Sequence, residues 1–244
     1  PMQVQSIVQE LPAIKSRVKL VLKKLPSVVE GLKYLKKTDK SEPLSIGAFV
    51  ERNAELYPHY PAILFEDQSF SHKTFNAWAN RYANYFLGQG IKKGDAVAIL
   101  MENRPQVLVA VAAAAKLGAI ASLINTNQRN DALKHSFNLC KPKAIVVGEE
   151  LYDAFDSVHA ELESSDAKIY FVHDSRAKKT PKKAVDLEEV TSSISSRNPL
   201  TTGSVTLQDP CFYIIQPSSS PRYPQKKPNP KSGVEKVMAL PLGK

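Results

Sequence analysis

The chain has 244 residues, 43% of them apolar and 23% charged, with a formal net charge of +9. The positive excess sits at the ends: residues 1–40 hold nine Lys/Arg against three acids, 217–244 hold six against one, and 41–216 hold eighteen against twenty. A near-neutral body excludes a nucleic-acid-binding core, which would carry its basic patch on the folded surface.

Residues 1–40 place Ile14, Val18, Val21, Leu22 and Leu25 at helical spacing, with Lys15, Lys19, Lys23 and Lys24 between them. Two readings stay open. Such a basic amphipathic helix either lies in a membrane interface, its lysines near anionic headgroups, or packs on the body with a solvated lysine face. Gln, Glu and Lys interrupt the first apolar positions, so no signal peptide is read. The expected location is cytoplasmic, with Lys15, Lys19, Lys23 and Lys24 as the residues of a peripheral membrane contact.

From residue 41 the body alternates strand and helix signals. Residues 62–66 and 69–71 flank Asp67-Gln68 as a short hairpin. Residues 74–87 form a helix with Phe75, Trp78, Ala79, Tyr82 and Phe86 on one stripe, ended by Gly88 and Gly90. Strands are expected over 96–101, 119–124, 144–147, 169–172 and 211–215, with helices from Pro105, over 131–140 and over 151–162. The apolar stretch 105–128 contains one charge, Lys116, but Gly118 and Asn125-Thr126-Asn127 divide it, so it reads as helix then strand rather than a membrane span. Near-continuous apolar strands alternating with helices predict an α/β fold, a mainly parallel sheet flanked by helices. Residues 174–183 read as a lysine-rich loop and 191–206 as a mobile Ser/Thr-rich one. Six prolines among residues 217–244 predict a disordered tail.

No catalytic centre is visible from motifs alone. Gly88-Gln89-Gly90-Ile91-Lys92-Lys93-Gly94 is close to a dinucleotide fingerprint, but it follows a helix and precedes a strand, the reverse of what phosphate binding at a helix start requires. The five histidines are scattered, and Cys140 and Cys211 have no partner at ligand spacing, which excludes a zinc ribbon and a disulfide scaffold and leaves buried thiols. Glu66-Asp67 and Glu149-Glu150 read as turn and helix-start charges.

Several motifs occur in an informative order. Gly90 to Ala98, with Gly94 and Asp95, followed by Asn103-Arg104-Pro105, resembles the first conserved region of the AMP-forming acyl-CoA synthetases. Lys116-Leu117-Gly118-Ala119, followed by Leu123-Ile124-Asn125-Thr126-Asn127-Gln128-Arg129, is similar to the branch of fatty acid transport proteins and very-long-chain acyl-CoA synthetases. Asp209-Pro210-Cys211-Phe212-Tyr213-Ile214 resembles the strand leading into that family's phosphate loop. The resemblance covers residues 41–216 and implies the N-terminal subdomain of an adenylate-forming enzyme, which activates a fatty acid with ATP and Mg to an acyl-adenylate and transfers the acyl group to CoA. Gly94, Asp95, Asn103, Gly118, Asn125, Asn127 and Arg129 are the family-motif positions, structural or without an assigned role.

The family's phosphate loop reads Tyr-Thr-Ser-Gly-Thr-Thr-Gly-x-Pro-Lys. Here Ile215-Gln216-Pro217-Ser218-Ser219-Ser220-Pro221-Arg222-Tyr223-Pro224 stands in its place. Both glycines are gone, and three prolines remove amide donors. The expectation is a truncated fatty acid–CoA ligase, inactive as this chain and binding no cofactor, with 217–244 foreign to the family. The alternative is a non-catalytic membrane-associating or partner-binding module of the same origin.

Overall fold

The computed structural model describes residue 41 and residues 43–164, 166–174, 179–214 and 238–239. The basic segment with Lys15, Lys19, Lys23 and Lys24, and nearly all of the expected tail, lie outside the described residues.

Helix α1 (Ile46–Leu56) starts where the Ser45 hydroxyl accepts the Ala48 N–H at 3.1 Å. Strands β1 (Pro61–Phe65) and β2 (Gln68–Ser71) form the expected hairpin. Helix α2 (His72–Gly88) is capped by the Ser71 hydroxyl, which accepts the Thr74 N–H at 3.2 Å. At its end Gly90 takes φ +84°, and the Ile91 N–H returns to the Phe86 carbonyl at 3.0 Å. The glycine run is therefore a helix stop, because the left-handed cap turns the chain back over the last helical turn.

The remaining elements alternate: β3 (Ala96–Leu100), α3 (Pro105–Lys116), β4 (Ile120–Leu123), α4 (Asn130–Cys140), β5 (Ala144–Gly148), α5 (Tyr152–His159), β6 (Lys168–Val172), β7 (Val185–Asp186), α6 (Leu187–Thr191), β8 (Phe212–Ile214) and β9 (Met238–Ala239). The strand order is β7-β6-β5-β3-β4-β8-β9, parallel throughout except for the last pair. The predicted α/β fold with a mainly parallel sheet is what forms.

Strand alternation sends side chains to two cores. Val97, Ile99, Ala121, Val146, Tyr170 and Val172 pack beneath α2 and α3, while Ala98, Leu100, Ile145, Val147, Ile169 and Phe171 meet α4 and α5. With both faces covered, the strands must be apolar on both sides, hence their continuous runs. The stretch 105–128 is α3 plus β4, and among the described residues no helix is long and apolar enough to cross a membrane.

One expectation is corrected. Residues 191–206 do not form a free loop: Asn76, Asn80 and Asn84, four apart on one face of α2, donate to Asn198, to the Ser196 carbonyl, and to the Ser195 and Arg197 carbonyls at 2.7–2.9 Å. The segment around 185–191, left without an element by periodicity, forms β7 and α6, the latter capped by the Asp186 carboxylate. Met238–Ala239 pair antiparallel with Tyr213–Ile214, an otherwise open strand edge.

Both cysteines are free, Cys211 buried and Cys140 half-buried. Burial pushes the Cys140 thiol up to about 12. Only the thiolate reacts, so iodoacetamide is expected to label Cys140 on the order of a thousandfold more slowly at pH 8 than an ordinary thiol with a pKa of about 8.5. Labelling should accelerate only as pH climbs toward 12; mass spectrometry of native protein over a pH series checks both.

Candidate functional site at the carboxyl edge of the sheet

In a parallel sheet wound in two directions, ligands bind beyond the carboxyl ends of the strands, where the order reverses. From β3 the chain runs one way to β4 and the other way to β5, β6 and β7, so the reversal lies between β3 and β5. The loops meeting there are 101–104 and 149–151.

That crevice is filled by the protein's own charges. Glu150 Oε1 accepts the Glu102 N–H at 2.8 Å, and its Oε2 lies 3.2 Å from Arg104 Nη2. Arg104 Nη1 pairs with Asp174 at 2.9 Å, and its two Nη groups donate to the Val172 and His173 carbonyls at 3.1 and 3.4 Å. Arg104 is buried, and among the described residues its Nε has no hydrogen-bond partner. The Glu150 carboxylate lies so close over Gly148 that any Cβ there would collide with it. Glu149, buried, accepts the Asp174 N–H at 2.8 Å. The pair read as helix-start charges is thus a pair of partnered carboxylates.

Three of the family-motif positions stand beyond the carboxyl end of β4. Asn125 and Asn127 are exposed, and the Asn125 Oδ1 accepts the Asn127 N–H at 2.9 Å. Arg129 Nη1 donates to the Thr126 and Gln128 carbonyls at 2.6 and 2.7 Å. Gln128, buried, accepts the Ser136 hydroxyl at 2.7 Å. Asn103 is exposed in the turn from β3 to α3. These side chains shape loops; they do not converge on one point.

Gly94, Asp95 and Gly118 sit at the opposite rim, where strands begin. Gly94 and Gly118 take φ +85° and +66°, and the Gly94 N–H donates to the Gly118 carbonyl at 2.9 Å. Asp95 accepts the Lys92 N–H at 2.7 Å and the Lys143 ammonium at 3.0 Å. They hold the turn into β3.

Beyond β6 the Glu188 carboxylate accepts the Tyr82 hydroxyl at 2.6 Å and the Trp78 indole N–H at 3.2 Å. Burial holds the Glu188 carboxyl above its usual range, opposed by those two hydrogen bonds. Asp186, Glu188, Glu189 and Ser192 line a surface pocket. Its carboxylates repel phosphate.

A nucleotide triphosphate with its metal needs convergent donors and a ligand cluster. The carboxyl-edge loops use theirs internally, and among the described residues no group of three or more His, Cys, Asp or Glu could hold a metal ion. Sequence reasoning missed Arg104, Glu150 and Gly148 as a unit; the only signal was an arginine just before a helix-opening proline.

Comparison with known proteins defines the class first. The chain superposes on an anthranilate CoA ligase, AuaEII, solved in complex with anthranoyl-AMP, with TM-score 0.63 and 18% identity over 70% of this chain and 32% of that one. It superposes on a fatty acyl CoA synthetase of Mycobacterium tuberculosis with TM-score 0.62 and 24% identity over 73% and 34%. At these identities the likeness establishes the fold, that of the acyl-CoA synthetases.

Residues 50–226 match the AMP-binding enzyme family, and the chain belongs to it. The medium/long-chain-fatty-acid–CoA ligase FadD6 of M. tuberculosis is 28% identical over 202 residues, 83% of this chain and 32% of that protein. The human long-chain fatty acid transport protein 6 is 30% identical over 166 residues, 67% of this chain and 26% of that protein. The chain therefore spans between a quarter and a third of the length of these relatives.

Proposed function

We propose that residues 41–216 are the sheet-bearing subdomain of a long- or very-long-chain fatty acid–CoA ligase. The reaction is activation of a fatty acid by ATP to acyl-AMP with release of pyrophosphate, then acyl transfer to CoA with release of AMP. The carrying observation is the family match over 50–226 together with similarity to relatives named as a fatty acid–CoA ligase and a fatty acid transport protein. A chimera of FadD6 bearing 41–216 in place of its matching segment is expected to retain decanoyl-CoA synthesis. A folded chimera with no ligase activity overturns the reading.

We further propose that this chain does not adenylate by itself. The support is the donor count at 215–224, where prolines replace the glycine amides a phosphate needs. Decanoate-dependent ATP–pyrophosphate exchange is expected to stay at the no-protein background; exchange above it overturns this second part.

The lysine pattern of 1–40 favours a second role for that segment, contact with an anionic membrane surface. Sedimentation with phosphatidylserine vesicles should fall as salt rises from 50 to 500 mM, because screening shortens the reach of surface charge. Replacing Lys15, Lys19, Lys23 and Lys24 by Gln should abolish it. Binding that ignores both salt and these substitutions counts against the role.

A further inference from the structure

We propose that the crevice between β3 and β5 is an oxyanion site for a monocarboxylate, R–COO⁻, held closed by the chain's own Glu150. It lies where a doubly wound sheet takes its ligands. Its present occupant is a carboxylate bound by one oxygen to the Glu102 amide and by the other to Arg104 Nη2.

The fit is incomplete on the arginine side. A guanidinium binds carboxylates best along its side-on edge, where Nε–H and one Nη–H run parallel. Glu150 engages the Nη of that edge at 3.2 Å and leaves Nε–H buried with no partner among the described residues. A buried unpaired donor is costly. Glu150 is tethered to its backbone two residues past Gly148 and lies against that glycine's Cα. A free carboxylate has no such tether and can align with both N–H groups while keeping the Glu102 amide.

Access favours exchange. The Arg104 side chain is 6% exposed and that of Glu150 23%, so the cation lies at the base and the internal carboxylate at the mouth. Asp174 also pairs with Arg104, and Glu149 and Glu102 stand nearby, so a second anion beside Glu150 is repelled. A ligand carboxylate takes the place of Glu150 as that side chain swings out at the mouth, where water screens its charge. Gly148 keeps the floor of the crevice open, since any Cβ there would fill it. The site uses only residues of this sheet, needs no ATP and stands whether or not the chain is part of a ligase.

Acetate tests it on the full chain, with ionic strength held constant by chloride. Glu150→Ala is expected to bind acetate saturably, at least about tenfold more tightly than the unmodified protein, with the Glu102 amide resonance shifting along the same isotherm. Arg104→Lys in that background keeps the charge but loses the side-on edge, and should abolish the response. Glu150→Gln keeps the side-chain volume and serves if the alanine variant fails to fold; it should also bind acetate more tightly than the unmodified protein. Absence of a saturable response in the folded variant, or a response that survives Arg104→Lys, overturns the site. Equal binding of inorganic phosphate overturns its assignment to carboxylates.

Discussion

Lys116→Ala is expected to destabilise the fold by about 3–5 kcal/mol, the range for removing one partner of a buried ion pair. Lys116 is fully buried at the end of α3, its Nζ 2.7 Å from Glu51 Oε1 on α1. Burial lowers its ammonium pKa, and the hydrogen bond and charge of Glu51 oppose that. The alanine strands the Glu51 carboxylate with only the Thr202 hydroxyl, 2.8 Å away, and removes the stem that packs against Gly47. The double change Lys116→Met with Glu51→Gln removes both charges and should fall within about 1 kcal/mol of the native protein. Urea unfolding of the two single variants and the double gives the coupling. A single variant costing less than about 1 kcal/mol contradicts a buried pair joining α1 to α3.

Phe86→Ala is the second large effect, expected to cost about 3–5 kcal/mol. The ring is fully buried, with centroids 6.1 Å from Tyr82 and 5.4 Å from Tyr170, so it joins α2 to β6. Its removal leaves a cavity that the flanking helix and strand cannot close, because both are fixed by their own ladders. Leu64→Ser on the outer hairpin is the control: that side chain is 74% exposed and its loss should change stability by less than about 0.5 kcal/mol. Equal midpoints for the two variants in urea would falsify the placement of Phe86 in the core.

Both effects arise from side chains whose importance is unequally visible in sequence. Phe86 belongs to a helical stripe with Trp78 and Tyr82, and the stripe alone places it inward. Lys116 is visible only as the single charge in an apolar stretch, and nothing local says that it is paired. Its partner lies 65 residues away on another helix. The Arg104–Glu150 contact is of the same kind, since each residue on its own reads as a surface charge at a helix start.

The sequence by itself determined the elements and their arrangement as a parallel sheet, because strand and helix periodicity, glycine stops and a helix-opening proline act over a few residues. It also determined the family, through motifs in order, and the loss of phosphate-loop donors, which is a matter of residue types alone. The tertiary structure decided which motif residues stand at the carboxyl edge and which at the amino edge. It decided that Asn76, Asn80 and Asn84 hold residues 195–198, and that Glu150 fills the crevice where the strand order reverses. Those outcomes depend on pairs 46 to 122 residues apart, and only the closing of the chain on itself brings such side chains within hydrogen-bonding distance.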